Sequence, residues 1–482
     1  MAFPVRGKLC QYNSSPEGSF WDTGLQAIGG ARLVRSLVVF LSIFSGLPVA
    51  LFFPFVGVLL WAWIAFMSPH REAYGLAYDF PFNLYIALTT IVAWVISTEP
   101  KRLPGQSLIF LLIAFTAQMG VSTFFALDYP SAYDHWDANI RTIALALITV
   151  ALITSKARMQ AFLWVIVVSI GYFAVKGAGF AILVGKTGAL IYGPDDTMIR
   201  DNNHLALAVV VTIPLLHYLR VTSENALVKA ACWIVIAMSV ITVIATFSRS
   251  GFIGLMAVML GFVTVAKPRL GAMLLPVALA IGVWVYAPPS WYARINTIQT
   301  FEQDNSAIGR LQAWQASWNM ALDRPILGGG LAAVERGPIY NKYHGVEYDE
   351  LGARAAHSIF FEVLGDLGFV GFFLYLAILG ACIRNLVLVR VWSSGHVELG
   401  WANLLARMML VSLGGFVAAG AFLSMAYYDM VLCLIALSVP LREIVRQTVS
   451  RDARQAGSEG DIGEGAMQLG RPWRTAQSQS KP

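Results

Sequence analysis

Runs of about 20 apolar residues recur along most of this chain, and they constrain its fold more than any other feature. A helix of that length spans a bilayer, and inside a membrane only helices and closed barrels satisfy every backbone hydrogen bond. Of the 482 residues, 57% are hydrophobic and 13% are charged; a soluble protein has about 25% charged residues. The sequence therefore predicts an all-α polytopic membrane protein.

The apolar runs predict about 12 or 13 transmembrane helices. The number depends on whether residues 33–68 form two spans or a broken hairpin, because Gly46, Pro48 and Pro54 interrupt that stretch. The runs cover residues 33–50, 52–68, 83–97, 107–126, 138–154, 158–176, 203–220, 226–247, 250–266, 270–287, 357–384, 405–425 and 427–441. One large polar loop, residues 287–356, interrupts the series, and we expect it to contain short helices.

Composition divides the chain into four parts. Residues 1–31 form a polar N-terminal extension and residues 442–482 a polar cytoplasmic tail, and both are expected to be disordered. Residues 32–202 form an N-terminal transmembrane region. Residues 203–441 form a second, ligase-type transmembrane region that includes the large loop.

Basic residues in the short connections predict which way the helices run. They collect near residues 155–158, 220–229, 267–269 and 384–407 and in the tail. Because basic connections stay in the cytoplasm, the large loop is expected to face outward. The basic residues of the first third cannot all lie inside, which leaves the orientation of the first helices open: Arg32, Arg35, Arg71 and Lys101-Arg102. The net charge of +6 therefore reflects helix orientation, and no nucleic-acid partner is expected.

Two arginines stand on the outward side, where basic residues are the exception. Arg249 lies in a turn between two apolar runs, and Arg310 lies at the start of an amphipathic helix expected over residues 310–322. Arg249 could snorkel to lipid headgroups, and Arg310 could pair with a nearby carboxylate. Arginine also binds phosphate with parallel hydrogen bonds, and a helix N-terminus attracts anions. Both are therefore candidates for phosphate binding and catalysis.

His357 opens the apolar run that follows the large loop. A lone histidine more often packs than reacts, but histidine titrates near neutrality and is the commonest general base. Its place beside two outward arginines makes it a candidate catalytic residue. Other acid–base candidates are carboxylates that more often have solvated or structural roles: Glu347, Asp349, Asp366 and Asp128.

Three further residues are candidate substrate contacts. Trp314 could stack on a sugar or pack locally. Lys176 is an outward cation that could contact phosphate. Asn203 follows Asp201 and Asn202 at the start of an apolar run, where this segment could instead cap the helix.

The order of the motifs resembles the O-antigen ligase and polymerase superfamily, from about Arg35 to Leu441. The motifs of the second half are Ser248-Arg249-Ser250-Gly251, Gly309-Arg310 with Trp314, Asp323-Arg324-Pro325, Gly328-Gly329-Gly330, and Ala356-His357-Ser358 with Leu364-Gly365. Further motifs resemble the exosortase-associated O-glycosylation ligase branch: Trp61-Ala62-Trp63, Ser68-Pro69-His70-Arg71, Gly193-Pro194, Asp201-Asn202-Asn203, Ala421-Phe422-Leu423-Ser424 and Tyr428-Asp429. The chain departs from that branch at Ser68, where asparagine is usual, and in its extension before Arg35.

The resemblance implies a glycosyltransferase of the bacterial inner membrane with its active site facing the periplasm. Such an enzyme moves a glycan from a polyprenyl-diphosphate carrier, such as undecaprenyl diphosphate, to an acceptor on a protein, lipid or polysaccharide. It uses no cofactor, metal or nucleotide sugar. By position, Arg249 and Arg310 would hold the diphosphate, and His357 would be the acid–base residue.

Two alternatives stay open. In an O-antigen polymerase the acceptor is another lipid-linked glycan, and the donor motifs do not distinguish the two acceptors. A transporter would bind the lipid-linked glycan without reacting it. Transporters typically show internal repeats and charged residues near mid-membrane, whereas here the charged candidates lie at the outer edge of the spans and no repeat is evident. The pattern therefore favours glycosyl transfer.

Overall fold

The computed structural model describes residues 29–99, 101, 103–184, 190–265, 305–344 and 353–469. Within these ranges the regular structure is helical, without strands. The helices are α1 (Gly29–Phe52), α2 (Pro54–Met67), α3 (Leu76–Asp79), α4 (Phe82–Ile96), α5 (Ser107–Phe124), α6 (Tyr129–Leu152), α7 (Lys156–Val184), α8 (Asn202–Thr222), α9 (Ala226–Ala245), α10 (Arg249–Val265), α11 (Asn305–Asp323), α12 (Gly337–Tyr343), α13 (Ile359–Trp392), α14 (Gly400–Gly420) and α15 (Asp429–Leu469). Short 3-10 turns occupy Pro69–Glu72, Ala333–Glu335 and Val397–Leu399.

Seven helices in the described part of the chain are long and apolar enough to cross a membrane. These are α1, α5, α7, α8, α9, α13 and α14, and the apolar helices α2, α4 and α10 are shorter. The prediction of an all-α polytopic membrane protein is confirmed. The span predicted at residues 270–287 lies outside the described residues, as do residues 287–304 and 345–352 of the large loop.

The stretch 33–68 forms two helices that meet at Phe53. Pro54 stands in the first turn of α2, where its missing N–H leaves no hydrogen bond unmade. The two helices pack closely, because a Cβ built on Gly46 of α1 would lie 3.0 Å from Leu60 Cδ2 of α2. The first of these helices is long enough to cross a membrane, whereas the second is shorter, so the number of spans in this stretch stays a prediction.

The bundle has a loop end, where the described loop residues 305–344 lie, and an opposite end. At the loop end the corner between α5 and α6 contacts the loop, since the N–H of Leu127 donates to the Gly329 carbonyl at 2.9 Å. Helix α6 runs from this corner to the opposite end, where Arg158 of α7 pairs with Glu99 at 2.6 Å. Helix α7 then returns towards the loop end.

Three basic residues of the first half of the chain lie at the loop end: Arg35, Arg71 and Lys176. Lys176, near the end of α7, pairs with Glu72 at 2.9 Å. The guanidinium of Arg35 donates to the Glu72 carbonyl at 2.8 Å. Arg71, the residue before Glu72, pairs with Asp196 at 3.4 Å. Arg35 and Arg71 are therefore at the same end of the bundle as the described loop residues.

The described loop residues 305–344, here called the loop module, have a small core of their own. The Asn319 amide donates to the Tyr343 carbonyl at 2.7 Å, which ties α11 to α12. Helix α11 begins at Asn305, earlier than predicted, so Arg310 lies in its second turn and not in its first. The core residues are Ala313, Ala316, Met320, Ala333, Val334, Tyr340 and Tyr343.

Helix α13 is interrupted at Gly368, whose φ of 66° is not helical. The loop module fills the interruption with backbone hydrogen bonds, which we call the glycine-turn lock. Gly329 and Gly330 donate to the carbonyls of Gly365 and Asp366 at 2.8 and 3.0 Å, and Phe369 donates to the Pro325 carbonyl at 2.8 Å. A break in a membrane helix is tolerated only where other groups satisfy its backbone. The lock supplies those groups.

Asp366 holds the lock from the side of α13. Its carboxylate accepts the N–H of Ala332 at 3.0 Å and the hydroxyl of Tyr427 at 3.0 Å. The Ser122 hydroxyl of α5 donates to the Asp366 carbonyl at 2.8 Å. Asp366, a weaker acid–base candidate from the sequence, therefore has a structural role here.

The last helix extends beyond residue 442 into the segment predicted to be the tail. Helix α15 continues without interruption to Leu469. Its residues pair along the helix, since Glu443 accepts from Arg446 at 2.8 Å and from Gln447 at 2.9 Å. Pairs three and four residues apart stabilise a helix. The polar composition of this segment did not indicate that the helix continues.

We predict that Gly330→Ala destabilises the protein. Gly330 has a φ of +94°, and a Cβ there would lie 2.3 Å from Ala126 Cβ. Overpacking of this kind costs about 1–3 kcal/mol. The thermal unfolding midpoint of the purified full-length variant should fall clearly below that of the wild type.

The matched control is Gly337→Ala in the same loop module, where a Cβ meets no atom within 4 Å. This control should keep the wild-type midpoint. Equal midpoints for the two variants would contradict the importance of the lock.

Candidate functional site

His357 lies between the loop module and α13 with a left-handed backbone, φ 45°. That conformation costs energy for a residue with a side chain and persists only where the surroundings enforce it. Two hydrogen bonds do so here. The N–H of His357 donates to Ser424 Oγ at 2.8 Å, and the indole of Trp314 donates to the Ala356 carbonyl at 2.8 Å. Helix α11 and the turn before α15 thus hold His357 from two sides.

Trp314, predicted as a sugar contact, packs against protein. Its ring stacks on Phe361 of α13 with centroids 5.0 Å apart and an interplanar angle of 8°. Phe422 lies 6.4 Å from it at a tilt of 37°. Together with the hydrogen bond to Ala356, this packing makes Trp314 a residue that positions His357.

Positive charge surrounds the imidazole of His357. Burial and then the charge of Arg310 lower the pKa of His357 from 6.5 to about 4. His204 and Arg354 lower it further, whereas Asp201 acts in the opposite direction. Arg310 is therefore close enough to His357 to act on its pKa, and the lowered pKa favours the neutral imidazole.

Arg354 joins Arg310 at this site, and the sequence reasoning missed it. Its guanidinium packs across Gly309 of α11, because a Cβ on Gly309 would lie 2.5 Å from Arg354 Nη1. The glycine before Arg310 therefore leaves room for a second arginine. The signal in the sequence was a basic residue three positions before His357.

Arg249 reaches the same end of the bundle from another helix. It begins α10, and its side chain is exposed. The turn before it is fixed by Asn202, whose amide donates to the Thr246 carbonyl at 2.8 Å, and Asn202 lies two residues before His204. The Ser248 hydroxyl caps α10 by accepting the N–H of Gly251 at 3.0 Å. Arg249 thus stands at a helix N-terminus, which adds a partial positive charge.

Asn203 and Lys176, predicted as substrate contacts, have protein partners. The side chain and the N–H of Asn203 both donate to Asp201 Oδ1 at 2.8 Å. The capping role that the sequence offered for this segment is confirmed, because Asp201 caps α8. Lys176 donates to both carboxylate oxygens of Glu72 at 2.9 Å. The structure thus gives each of them a local structural contact.

The remaining carboxylate candidates lie elsewhere. Asp128 pairs with Arg336 of the loop module at 3.2 Å, and Glu347 and Asp349 lie outside the described residues.

Besides Arg354, two further residues at this site were given no role from the sequence: His204 and Ser424. Ser424 stands inside a motif that the sequence singled out, and His204 directly follows another. No local pattern reveals that these segments act on His357.

Comparison with family models assigns both halves of the chain. Residues 234–376 match the model Wzy_C, described as O-Antigen ligase. This region of the chain is therefore similar to the O-antigen ligase family. Residues 34–224 match a second model, described as a family of unknown function, DUF5935. No curated protein matches the chain.

The region that matches the O-antigen ligase model contains Arg249, Arg310 and His357. Asp201 and His204, which act on the pKa of His357, belong to the other matched region. The two regions therefore contribute to one constellation. The narrower resemblance to the exosortase-associated branch stays a prediction.

We predict that the imidazole of His357 titrates well below the usual histidine range, near the value of about 4. Arg310→Gln removes a neighbouring positive charge and should raise this pKa towards 6.5. Histidine-labelled NMR of the full-length protein measures both, with His357→Gln to assign the resonance. A pKa of 6.5 or higher in the wild type would contradict the burial and charge described here.

Proposed function

We propose that this protein is a membrane glycosyltransferase that moves a glycan from a polyprenyl-diphosphate carrier to an acceptor hydroxyl. The observation that carries the proposal is the position of His357, which Trp314 and Ser424 constrain within the region that matches the O-antigen ligase model. A neutral histidine can accept the proton of a hydroxyl, and arginine is suited to bind the diphosphate. Both requirements of the reaction meet at the loop end.

The arginines act on the leaving group. The bond between the anomeric carbon and the diphosphate oxygen breaks, and its electron pair remains on the lipid diphosphate. Arg249 and Arg310 stabilise that charge with hydrogen bonds preorganised for the transition state, so that the reaction needs no metal ion. Arg354, packed across Gly309, adds a third cation next to Arg310.

His357 acts on the acceptor. The acceptor oxygen forms the new bond to the anomeric carbon from the side opposite the diphosphate and inverts the configuration there. Its proton passes to the imidazole. A bound diphosphate offsets the positive charge around His357 and raises the pKa of the imidazole from its low value, so that donor binding strengthens the base.

The distribution of arginines supports an active site on the periplasmic face of the inner membrane. Arg158 and Arg442 lie at the opposite end of the bundle, in the connections that the sequence predicts to be cytoplasmic. If that end faces the cytoplasm, the loop end faces outward. The cations at the loop end are then exceptions to the orientation rule, and an anionic ligand accounts for them.

We predict that His357→Ala, Arg249→Lys and Arg310→Lys each abolish most glycan transfer. Loss of a general base costs about 10²–10⁴-fold, and loss of a transition-state hydrogen-bond donor costs about 10²–10³-fold. Lysine keeps the charge of arginine but cannot form its paired hydrogen bonds. The assay combines purified full-length protein, a polyprenyl-diphosphate glycan and an acceptor, and it counts transferred glycan.

The matched control is Arg200→Lys, because Arg200 pairs with Asp195 on the surface at 3.0 Å and has no proposed role in transfer. This control should keep wild-type transfer. Transfer by His357→Ala at the wild-type rate, with equal protein abundance, would contradict the proposed base. Binding of the lipid-linked glycan by the wild type without any transfer would favour a transporter. Supplying either a second lipid-linked glycan or a protein or lipid acceptor decides between polymerase and ligase.

A further inference from the structure

A basic cavity lies at the opposite end of the bundle from His357. Its volume is about 930 Å³. Its walls come from the segment before α5, the end of α6, the part of α13 around Arg384 and the part of α15 around Arg442. Its charged lining residues are Arg384, Arg442, Arg446 and Glu443. Three arginines facing one carboxylate leave the cavity positively charged.

Arg442 is fixed within this cavity from one side. Its guanidinium donates to Asn385 Oδ1 at 3.0 Å and lies 5.4 Å from the centroid of the Trp392 ring. The Nε of Arg442 is buried and finds no hydrogen-bond partner among the described residues. A buried donor of this kind costs free energy until it is paired. The arrangement therefore suits an anionic acceptor inside the cavity.

The walls beside the arginines are apolar. Leu103, Val150 and Ile153 line the cavity. Helix α5 begins at the cavity and α6 ends there. A ligand that fits this surface has an anionic head and apolar chains. The general preference for basic residues on the cytoplasmic side explains the number of arginines at this end of the bundle. It does not explain why the Nε of Arg442 is buried at this cavity without a hydrogen-bond partner among the described residues.

We propose that this cavity binds the phosphate headgroup of an anionic phospholipid. Basic pockets between membrane helices are suited to such headgroups. The phosphodiester oxygens accept from Arg442 and Arg384, and the acyl chains lie along the apolar wall. Arg446 also lines an adjoining cavity of about 700 Å³ with Arg451 and Arg454, which extends the positive surface along α15. This site is independent of glycan transfer.

The test measures the thermal unfolding midpoint of the full-length protein, purified in detergent, as lipid is added. Dioctanoyl phosphatidylglycerol should raise the midpoint, because a ligand of the folded state stabilises it. Dioctanoyl phosphatidylcholine and inorganic phosphate should not raise it at the same concentration. Arg384→Gln and Arg442→Gln should each raise about fivefold the concentration of phosphatidylglycerol that gives half of the maximal shift in midpoint. This is the scale of one basic residue at an anionic headgroup.

The matched control is Arg390→Gln, the same change of charge at the same end, since Arg390 lines a separate cavity with Arg407. This control should keep the wild-type response. An equal loss of response in Arg390→Gln would show diffuse attraction and overturn the proposal. An equal shift with inorganic phosphate alone would overturn the assignment to lipid. If Arg442→Gln does not fold, the exposed Arg384 carries the test.

Discussion

The glycine-turn lock is the contact on which the site depends. It joins the loop module to the interrupted helix α13, and through it α11, with Arg310 and Trp314, is held beside His357. A hydrogen bond that stays unmade in a buried place costs about 1–3 kcal/mol. The break at Gly368 is therefore stable only while the loop occupies it, and folding of the helix and placement of the site are coupled.

Charge and burial at His357 follow from this placement. The imidazole is partly buried, and the charges of Arg310 and Arg354 lower its pKa further, so its neutral form is favoured. Under the proposed function, these cations would attract an anionic donor, and binding of that donor would reverse part of their effect on the pKa of His357. Asp201 and His204 come from the region that matches DUF5935. That region thus contributes to the electrostatics of the region that matches the O-antigen ligase model.

The sequence predicted the helical fold because apolar runs of membrane length leave few alternatives. It also predicted Arg310 and His357, and in the structure Arg310 is close enough to act on the pKa of His357. It could not predict the lock, because hydrogen bonds between Gly329 and Gly365 join segments far apart in the chain. For the same reason the sequence did not show that the ring of Trp314 stacks on Phe361; its contact with a sugar stays a prediction. Long-range partners decide such roles, and a single sequence does not contain them.

An electron cryomicroscopy structure of the full-length protein with bound polyprenyl diphosphate tests the central assignment most directly. The diphosphate should lie against the guanidinium groups of Arg249 and Arg310, on the side of the site that His357 faces. Its density should disappear in the Arg310→Lys variant under the same conditions. A diphosphate bound away from both arginines, with the loop module in place, would contradict the assignment of this site to glycan transfer.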